Sequence, residues 1–203
     1  AKKIAGLDAA VLVIDQRGTG ETNSYFPTLD EDYANFLAGK EPVQHLMVFD
    51  ALRAYDLLYS APFVDSGSIM IAGESLGGRI AMIAAAIDRN IKGALVISTA
   101  GFDFKGGPDA KKNAFLKSID PDHYISLITP RKIVMMHNYH DRNVPLSNAV
   151  QTYQKAQQPK QFVLVNDTAC NHGYCDSMYD GLVEALDYLV GIRGRTLVSV
   201  PVK

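Results

Sequence analysis

The amino-acid sequence predicts an α/β fold, in which a mostly parallel sheet is flanked by helices. Three observations support this prediction: apolar strand-like runs alternate with helical runs, one run ends in a tight glycine-flanked turn, and polar residues follow later runs. Parallel strands need crossover connections, and helical runs between strands supply them. Because 203 residues are enough for one sizeable core, we expect a single domain over 1–203.

Five apolar runs are predicted to be strands. They lie near residues 10–15, 68–72, 93–98, 132–138 and 161–166. Each run is short and apolar, and the alternation of these runs with helical ones favours a mostly parallel sheet. The pattern therefore predicts an open sheet with crossover helices between its strands.

Helices are predicted near 43–59, directly after Ser75, near 146–157 and near 177–191. The first has apolar residues at helical spacing, and Pro42 stands where the first turn of a helix tolerates proline. The stretches 20–41 and 99–130 are rich in Gly, Pro, Asp and aromatic residues, so they are predicted to be irregular. They are too short for a large lid domain, and we therefore expect an open site.

The most informative motif is the pentapeptide GESLG at 73–77, between a strand-like run and a helical run. In so tight a turn only glycine fits on either side of the serine, and the hydroxyl of Ser75 is pushed out above the sheet edge. The backbone N–H of Leu76 begins the helix and points at an oxyanion formed beside Ser75. The alternative is a glycine-rich turn with an incidental serine. We predict Ser75 as a nucleophile and Leu76 as an oxyanion donor.

An acid and a histidine follow two later strands. Asp141 follows the run 132–138, and His172 follows the run 161–166. Sites in open α/β sheets are built at the carboxyl ends of strands. A histidine can take the proton of a serine hydroxyl, and a carboxylate can hold the imidazole in the right tautomer. Asp167 is a rival acid, although it follows the same strand as the histidine.

Together these motifs resemble those of the α/β-hydrolase superfamily over nearly the whole chain. The segment DQRGTGE at 15–21 is similar to the family's glycine-rich turn, GESLGG at 73–78 to its nucleophile elbow, and DRNVP at 141–145 to its acid loop. The first segment departs from the family where Glu21 and Thr22 replace a final x-Ser. The esterase, dienelactone-hydrolase and prolyl-oligopeptidase-like branch is the most similar. This resemblance implies Ser75 as nucleophile, Asp141 as acid and His172 as base.

The resemblance has one gap, at the start of the chain. The family's third strand lies between its fourth and fifth, but residues 1–7 resemble the helix after the third strand. The first three strands, and the loop that usually supplies a second oxyanion donor, have no counterpart. We therefore expect the C-terminal part of a longer hydrolase with unpaired sheet edges. The tail 195–202 has the pattern of an extra strand and is a candidate to cover such an edge.

Two further residues are predicted to contact the substrate, namely Glu74 beside the nucleophile and Tyr25 in the irregular stretch. Glu74 is equally consistent with an exposed structural role. Tyr25 stands near three other aromatic residues that either line an acyl or alcohol pocket with it or pack their own loop on the core. These three are Phe26, Tyr33 and Phe36.

The remaining histidines do not predict a metal site. His137 and His140 flank the acid loop, but no carboxylate–histidine spacing typical of a metal centre stands out. His45 lies beside the apolar face of a predicted helix, where a structural role is expected. His123 lies in a predicted loop and is either a loop cap or a residue at the rim of the site. The predicted mechanism requires no cofactor and no metal.

Only two cysteines occur, Cys170 and Cys175, and they bracket His172. They form either a short disulfide or two free thiols; low cysteine usage and the lack of a visible secretion signal favour free thiols and a cytoplasmic location. A zinc site that included His172 would need a fourth ligand and would remove the base.

The composition narrows the function classes. A net charge of −2 without a basic stripe argues against nucleic acid as a partner, and no apolar run is long enough to span a bilayer. The oligomeric state is left open. We expect a serine hydrolase that cleaves carboxylic esters of small to medium substrates through an acyl-enzyme. The alternatives are a peptidase or amidase of the prolyl-oligopeptidase-like type and a catalytically silent binding module.

Overall fold

The computed structural model describes residues 1–7, 9–22 and 25–192. Within them, four parallel strands form one sheet in the order β1-β2-β3-β4. The strands are β1 Ile71–Glu74, β2 Gly93–Ile97, β3 Lys132–Asn138 and β4 Lys160–Val165. The register places Gly73 beside Val96 and Met136 beside Val163. All four carboxyl ends therefore point to one edge of the sheet, where Ser75 follows β1.

Seven α-helices surround this sheet in the described residues. They are α1 Lys2–Ala5, α2 Leu29–Leu37, α3 Val43–Tyr59, α4 Leu76–Ile87, α5 Ala110–Ile119, α6 Leu146–Lys155 and α7 Tyr179–Val190. Helix α4 packs against β1 and β2 and is itself covered by α3, while α7 packs on β2 and β3 from the opposite face. No helix in these ranges is long and apolar enough to cross a membrane.

Both faces of the central strands are buried, and their side chains alternate between two cores. Those that share a core with α4 are Ala94, Val96, Ile133 and Met135. Those that share a core with α7 are Leu95, Ile97, Val134 and Met136. This period of two explains why the sequence shows continuous apolar runs rather than an apolar–polar alternation.

Four of the five predicted strands are confirmed. Those near 93–98, 132–138 and 161–166 agree within one residue, whereas the strand predicted at 68–72 begins at Ile71 because a 3-10 turn occupies Ser66–Ser68. The helix predicted at 43–59 is confirmed in its bounds, and α6 and α7 are slightly shorter than predicted. The α/β fold with a parallel sheet is therefore confirmed.

The prediction that 20–41 and 99–130 are irregular is wrong in part, because α2 and α5 lie there. Helix α2 begins at a capping box: the N–H of Thr28 donates to the Glu31 carboxylate at 2.8 Å, and the N–H of Glu31 donates to the Thr28 hydroxyl at 3.3 Å. Helix α5 is capped by Asp109, whose carboxylate accepts the backbone N–H groups of Lys111 and Lys112. Both caps satisfy donors that the first helical turn leaves free.

The strand predicted at 10–15 is also wrong, since residues 9–16 form no strand. A β-strand exists only through its hydrogen-bonded neighbour, and none of the described residues pairs with this segment. The apolar side chains from Val11 to Ile14 consequently stay 37–67% exposed. The turn that follows is held to α3, because the Arg17 guanidinium donates to both oxygens of Asp50 at 2.6 and 2.9 Å.

The outer edge of β1 is unpaired among the described residues. It faces a cavity of about 840 Å³, which is bounded by the segment 9–17, by α3 and by β1 itself. The structure therefore has the open edge that the sequence predicts beside the nucleophile strand. The tail 195–202, predicted as a strand that covers an edge, lies outside the described residues.

Candidate active site

Ser75 occupies a strained turn between β1 and α4. Its φ of 53° and ψ of −119° lie in a region that residues with a side chain rarely adopt. The backbone is fixed on both sides: the Ser75 N–H donates to the Ile97 carbonyl at 2.9 Å, and the Thr99 hydroxyl donates to the Ser75 carbonyl at 2.7 Å. Such strain costs about 1–3 kcal/mol and persists where the surroundings enforce it.

The turn needs glycine at Gly73, as the motif predicts. A Cβ at this position would lie 2.1 Å from the carbonyl oxygen of Gly77, well inside contact distance. The first turn of α4 can therefore come close to β1 only because Gly73 has no side chain. Leu76 is the first residue of α4, so its N–H is among those that intrahelical bonds leave free.

Asp141 and His172 form a buried pair. The Nδ1 atom of His172 lies 2.9 and 3.0 Å from the two Asp141 carboxylate oxygens, and the side chains are 17% and 0% exposed respectively. The N–H groups of Asn143 and Val144 also donate to Asp141, each at 2.9 Å. Burial alone would raise the pKa of Asp141, but the backbone donors and the imidazole outweigh it and hold the pKa below its ordinary value. The carboxylate is therefore ionised and oriented.

His137 lies beneath this pair and has a structural role. Its Nε2 donates to the Val144 carbonyl at 3.0 Å and lies 3.9 Å from Asp141. Burial lowers the pKa of His137, which favours the neutral ring. The histidine thus supports the acid loop without adding charge to it.

The rival acid Asp167 does not face the base. Its carboxylate accepts the N–H of Ala169 at 2.9 Å, and this bond is the leading cause that lowers the pKa of Asp167. The imidazole of His172 is turned toward Asp141 instead. The geometry therefore supports Asp141 as the partner of His172.

The loop that carries His172, residues 167–175, is closed by a disulfide between Cys170 and Cys175. The expectation of two free thiols is wrong in this structure, because the loop turns so that the two Cα atoms lie 5.9 Å apart, within disulfide range. The amide of Asn138 at the end of β3 donates to the carbonyls of Asp167 and Cys170. Spacing alone could not show this turn.

The two predicted substrate contacts lie in different places. The Glu74 carboxylate accepts the N–H of Tyr174 at 2.9 Å, a contact with the histidine loop that the sequence did not predict. Tyr25 is 73% exposed and donates to Glu31, and no contact joins it to the three candidate catalytic residues. Substrate contact by Tyr25 stays a prediction.

The neighbouring aromatic residues largely pack among themselves. Tyr33 and Phe36 lie against Phe115 with ring centroids 5.4 and 5.6 Å apart, which favours the packing alternative for these two. Phe26 covers Gly18.

Two other histidines have polar neighbours of their own. The ring of His45 lies between Glu41 at 3.0 Å and Ser118 at 2.8 Å, so it links α3 to α5. His140 contacts the Asn166 side chain at 2.8 Å. Across the described ranges, no group of three or more His, Cys, Asp or Glu side chains is arranged to hold a metal ion.

The hydroxyl of Ser75 makes no hydrogen bond to His172 among the described residues, although Asp141 and His172 are already paired. In substrate-free enzymes such catalytic bonds are often long and tighten only when substrate is bound. The arrangement places a strained serine, a free helix N–H and an oriented imidazole on loops at the same end of the sheet. These groups together can support acyl transfer.

Sequence comparison identifies one family. The sequence profile of the acetyl xylan esterase (AXE1) family matches residues 7–123, more than half of the chain. The matched segment includes Ser75 and ends before Asp141 and His172. No curated protein sequence matches the chain.

Solved structures share the fold at low sequence identity. TT1662 from Thermus thermophilus has a TM-score of 0.65 and 17% identity, over 88% of this chain and 76% of that one. Acetyl xylan esterase 1 from Thermoanaerobacterium sp. JW/SL YS485 has a TM-score of 0.63 and 18% identity, over 86% and 61%. Dipeptidyl peptidase 4 from Porphyromonas gingivalis has a TM-score of 0.57 and 20% identity, over 70% and 22%.

Proposed function

The chain belongs to the acetyl xylan esterase (AXE1) family, a family of α/β-hydrolase esterases, and from that premise we propose that it is a serine hydrolase of carboxylic esters. The observation that carries the proposal is the strained Ser75 at the end of β1 together with the Asp141–His172 pair at the same sheet edge. Backbone strain of this kind concentrates at functional sites.

The proposed reaction has two steps. In the first, His172 takes the Ser75 hydroxyl proton as the oxygen attacks the ester carbonyl, and the same proton then goes to the leaving alcohol. In the second, His172 takes a proton from water, which attacks the acyl-enzyme, releases the acid and restores the Ser75 hydroxyl. Asp141 stabilises the imidazolium in both steps. The Leu76 N–H stabilises the tetrahedral oxyanion, and such a donor contributes about 3 kcal/mol.

The proposed substrates are acetyl esters of sugars. This choice of substrate class rests on the description of the family, which names acetyl xylan. An acetyl group is small, which agrees with the expectation of small to medium ester substrates. Hydrolysis would release acetate and leave the free sugar hydroxyl.

A substrate panel tests this proposal. We expect p-nitrophenyl acetate to be cleaved faster than the butyrate and octanoate esters, acetylated xylo-oligosaccharides to release acetate, and peptide p-nitroanilides to react slowest. Ser75→Ala should lower kcat by about 10⁴–10⁶-fold, since triad members act as one unit. Faster cleavage of anilides than of esters would favour the peptidase alternative, and no turnover of any substrate would favour a binding module.

A further inference from the structure

One hydrogen bond joins the strand of the nucleophile directly to the loop of the base. The N–H of Tyr174 donates to the Glu74 carboxylate at 2.9 Å, although the two residues are 100 positions apart. Glu74 immediately precedes Ser75, and Tyr174 follows His172 by two residues. This contact therefore connects the immediate neighbours of the two groups that must exchange a proton.

The backbone of the loop lies directly against this carboxylate. A Cβ at Gly173 would lie 2.4 Å from Oε1 of Glu74, and Gly173 has a φ of +81°, where side chains are rarely tolerated. Gly173 itself is buried, whereas Glu74 is exposed, so the contact lies at the protein surface. The Glu74 carboxylate therefore lies against the loop backbone at both Gly173 and Tyr174.

The other contacts of the histidine loop, residues 167–175, are made with parts of the molecule other than β1. Asn138 holds the loop to β3, and the disulfide holds it to itself. The Ser98 hydroxyl, at the end of β2, donates to the Gly173 carbonyl at 3.3 Å. Of the side-chain hydrogen bonds described for this loop, the one made by Glu74 leads to β1, the strand that carries Ser75.

From these contacts we infer that Glu74 is a positioning residue, which sets the distance between His172 and Ser75; this inference rests on the proposed esterase function. The Nε2 atom must come within about 2.6–3.2 Å of the serine oxygen to take its proton. An error of about 1 Å in such a geometry can lower the rate about 100-fold. A carboxylate that accepts a backbone N–H forms a stronger bond than a neutral acceptor.

Three variants test this role with p-nitrophenyl acetate. Glu74→Ala removes the acceptor and should lower kcat by about 10-fold or more, with KM changed less than about twofold, because the substrate is uncharged and loop geometry governs proton transfer. Glu74→Gln keeps an acceptor oxygen in the same place and should restore most of the rate. Glu184→Ala, on the exposed face of α7, should match wild type.

Hydrogen exchange of the Tyr174 amide gives a readout that does not depend on activity. Exchange should be faster in Glu74→Ala than in wild type and close to wild type in Glu74→Gln. If wild type lacks esterase activity but the exchange results hold, the contact stands and the proposed function fails. Unchanged kcat in Glu74→Ala would overturn the positioning role. Equal losses in Glu74→Ala and Glu74→Gln, with a raised KM, would indicate substrate contact instead.

Discussion

Two apolar segments of similar composition behave differently in this molecule. The run 93–98 becomes β2, with strands on both sides and with Leu95 and Val96 fully buried. The run 10–15 has the same β-type residues, but it pairs with no described residue, and its Val13 stays 67% exposed. The difference lies in the neighbours of each segment, because a strand gains its ladder hydrogen bonds from the strands beside it.

The loops that carry the three candidate catalytic residues all follow paired strands. Ser75, Asp141 and His172 follow β1, β3 and β4, whose register fixes where each loop begins. By contrast, residues 15–21 are held mainly through Arg17 on Asp50. We therefore expect substitutions in the paired region to have large effects and those in residues 9–22 to have small ones.

The largest expected effect is on catalysis. Asp141→Asn should keep the fold but lower kcat by about 10⁴-fold, because an amide favours the wrong tautomer of His172. Asp167→Asn, in the loop of the base, should stay within about threefold of wild type, since Asp167 faces Ala169 rather than the imidazole. Initial rates on p-nitrophenyl acetate measure both. A larger loss of kcat in Asp167→Asn than in Asp141→Asn would identify Asp167 as the acid.

The next prediction concerns the same substitution, valine to alanine, made in the run 93–98 and in the run 10–15. Val96→Ala should lower the free energy of unfolding by about 2–3 kcal/mol, because Val96 is fully buried and its loss leaves a cavity. Val13→Ala should change it by less than about 0.5 kcal/mol, since Val13 is 67% exposed. Urea unfolding followed by circular dichroism gives both values. Equal losses would mean that the segment 10–15 is packed in solution.

Sequence patterns predicted the strands and the three candidate catalytic residues because those signals are local. Strand ends are marked by the pentapeptide at 73–77 and by the polar residues after 132–138 and 161–166. These signals do not depend on which neighbour each strand pairs with. The Glu74–Tyr174 bond, the Cys170–Cys175 disulfide and the exposure of 10–15 depend on how distant segments meet, which no local pattern encodes. Helix α2 is a different case, because its T-x-x-E capping box at 28–31 is a local signal that is visible in the sequence, although the surrounding Gly, Pro and Asp are typical of an irregular segment.

The stability of the paired region should also depend on pH through Asp141. The pKa of Asp141 is lower in the folded state than the unfolded value of about 3.9, so its contribution is present above that value and is lost as pH falls through the folded pKa. The free energy of unfolding of wild type should therefore fall faster than that of Asp141→Asn below about pH 4. Parallel curves for the two proteins would contradict the assigned direction.

The smallest expected effect on kcat among the changes to the paired region concerns the loop of the base. Reduction of the Cys170–Cys175 disulfide should lower the free energy of unfolding by about 2 kcal/mol, because the closed loop is short, and it should lower kcat only a few-fold. Serine at both cysteines is the matched control and should be insensitive to dithiothreitol. Alkylation of both cysteines in the untreated native protein would show free thiols, as the sequence-based cytoplasmic expectation favours.

Covalent labelling tests the central claim, that Ser75 is the nucleophile of a serine hydrolase, most directly. A fluorophosphonate probe should add once to the folded protein, and peptide mass spectrometry should place the adduct on Ser75. Ser75→Ala should remain unlabelled, and His172→Ala should react far more slowly, because the base must take the serine proton. The absence of an adduct, or an adduct on another residue that survives Ser75→Ala, would contradict this account.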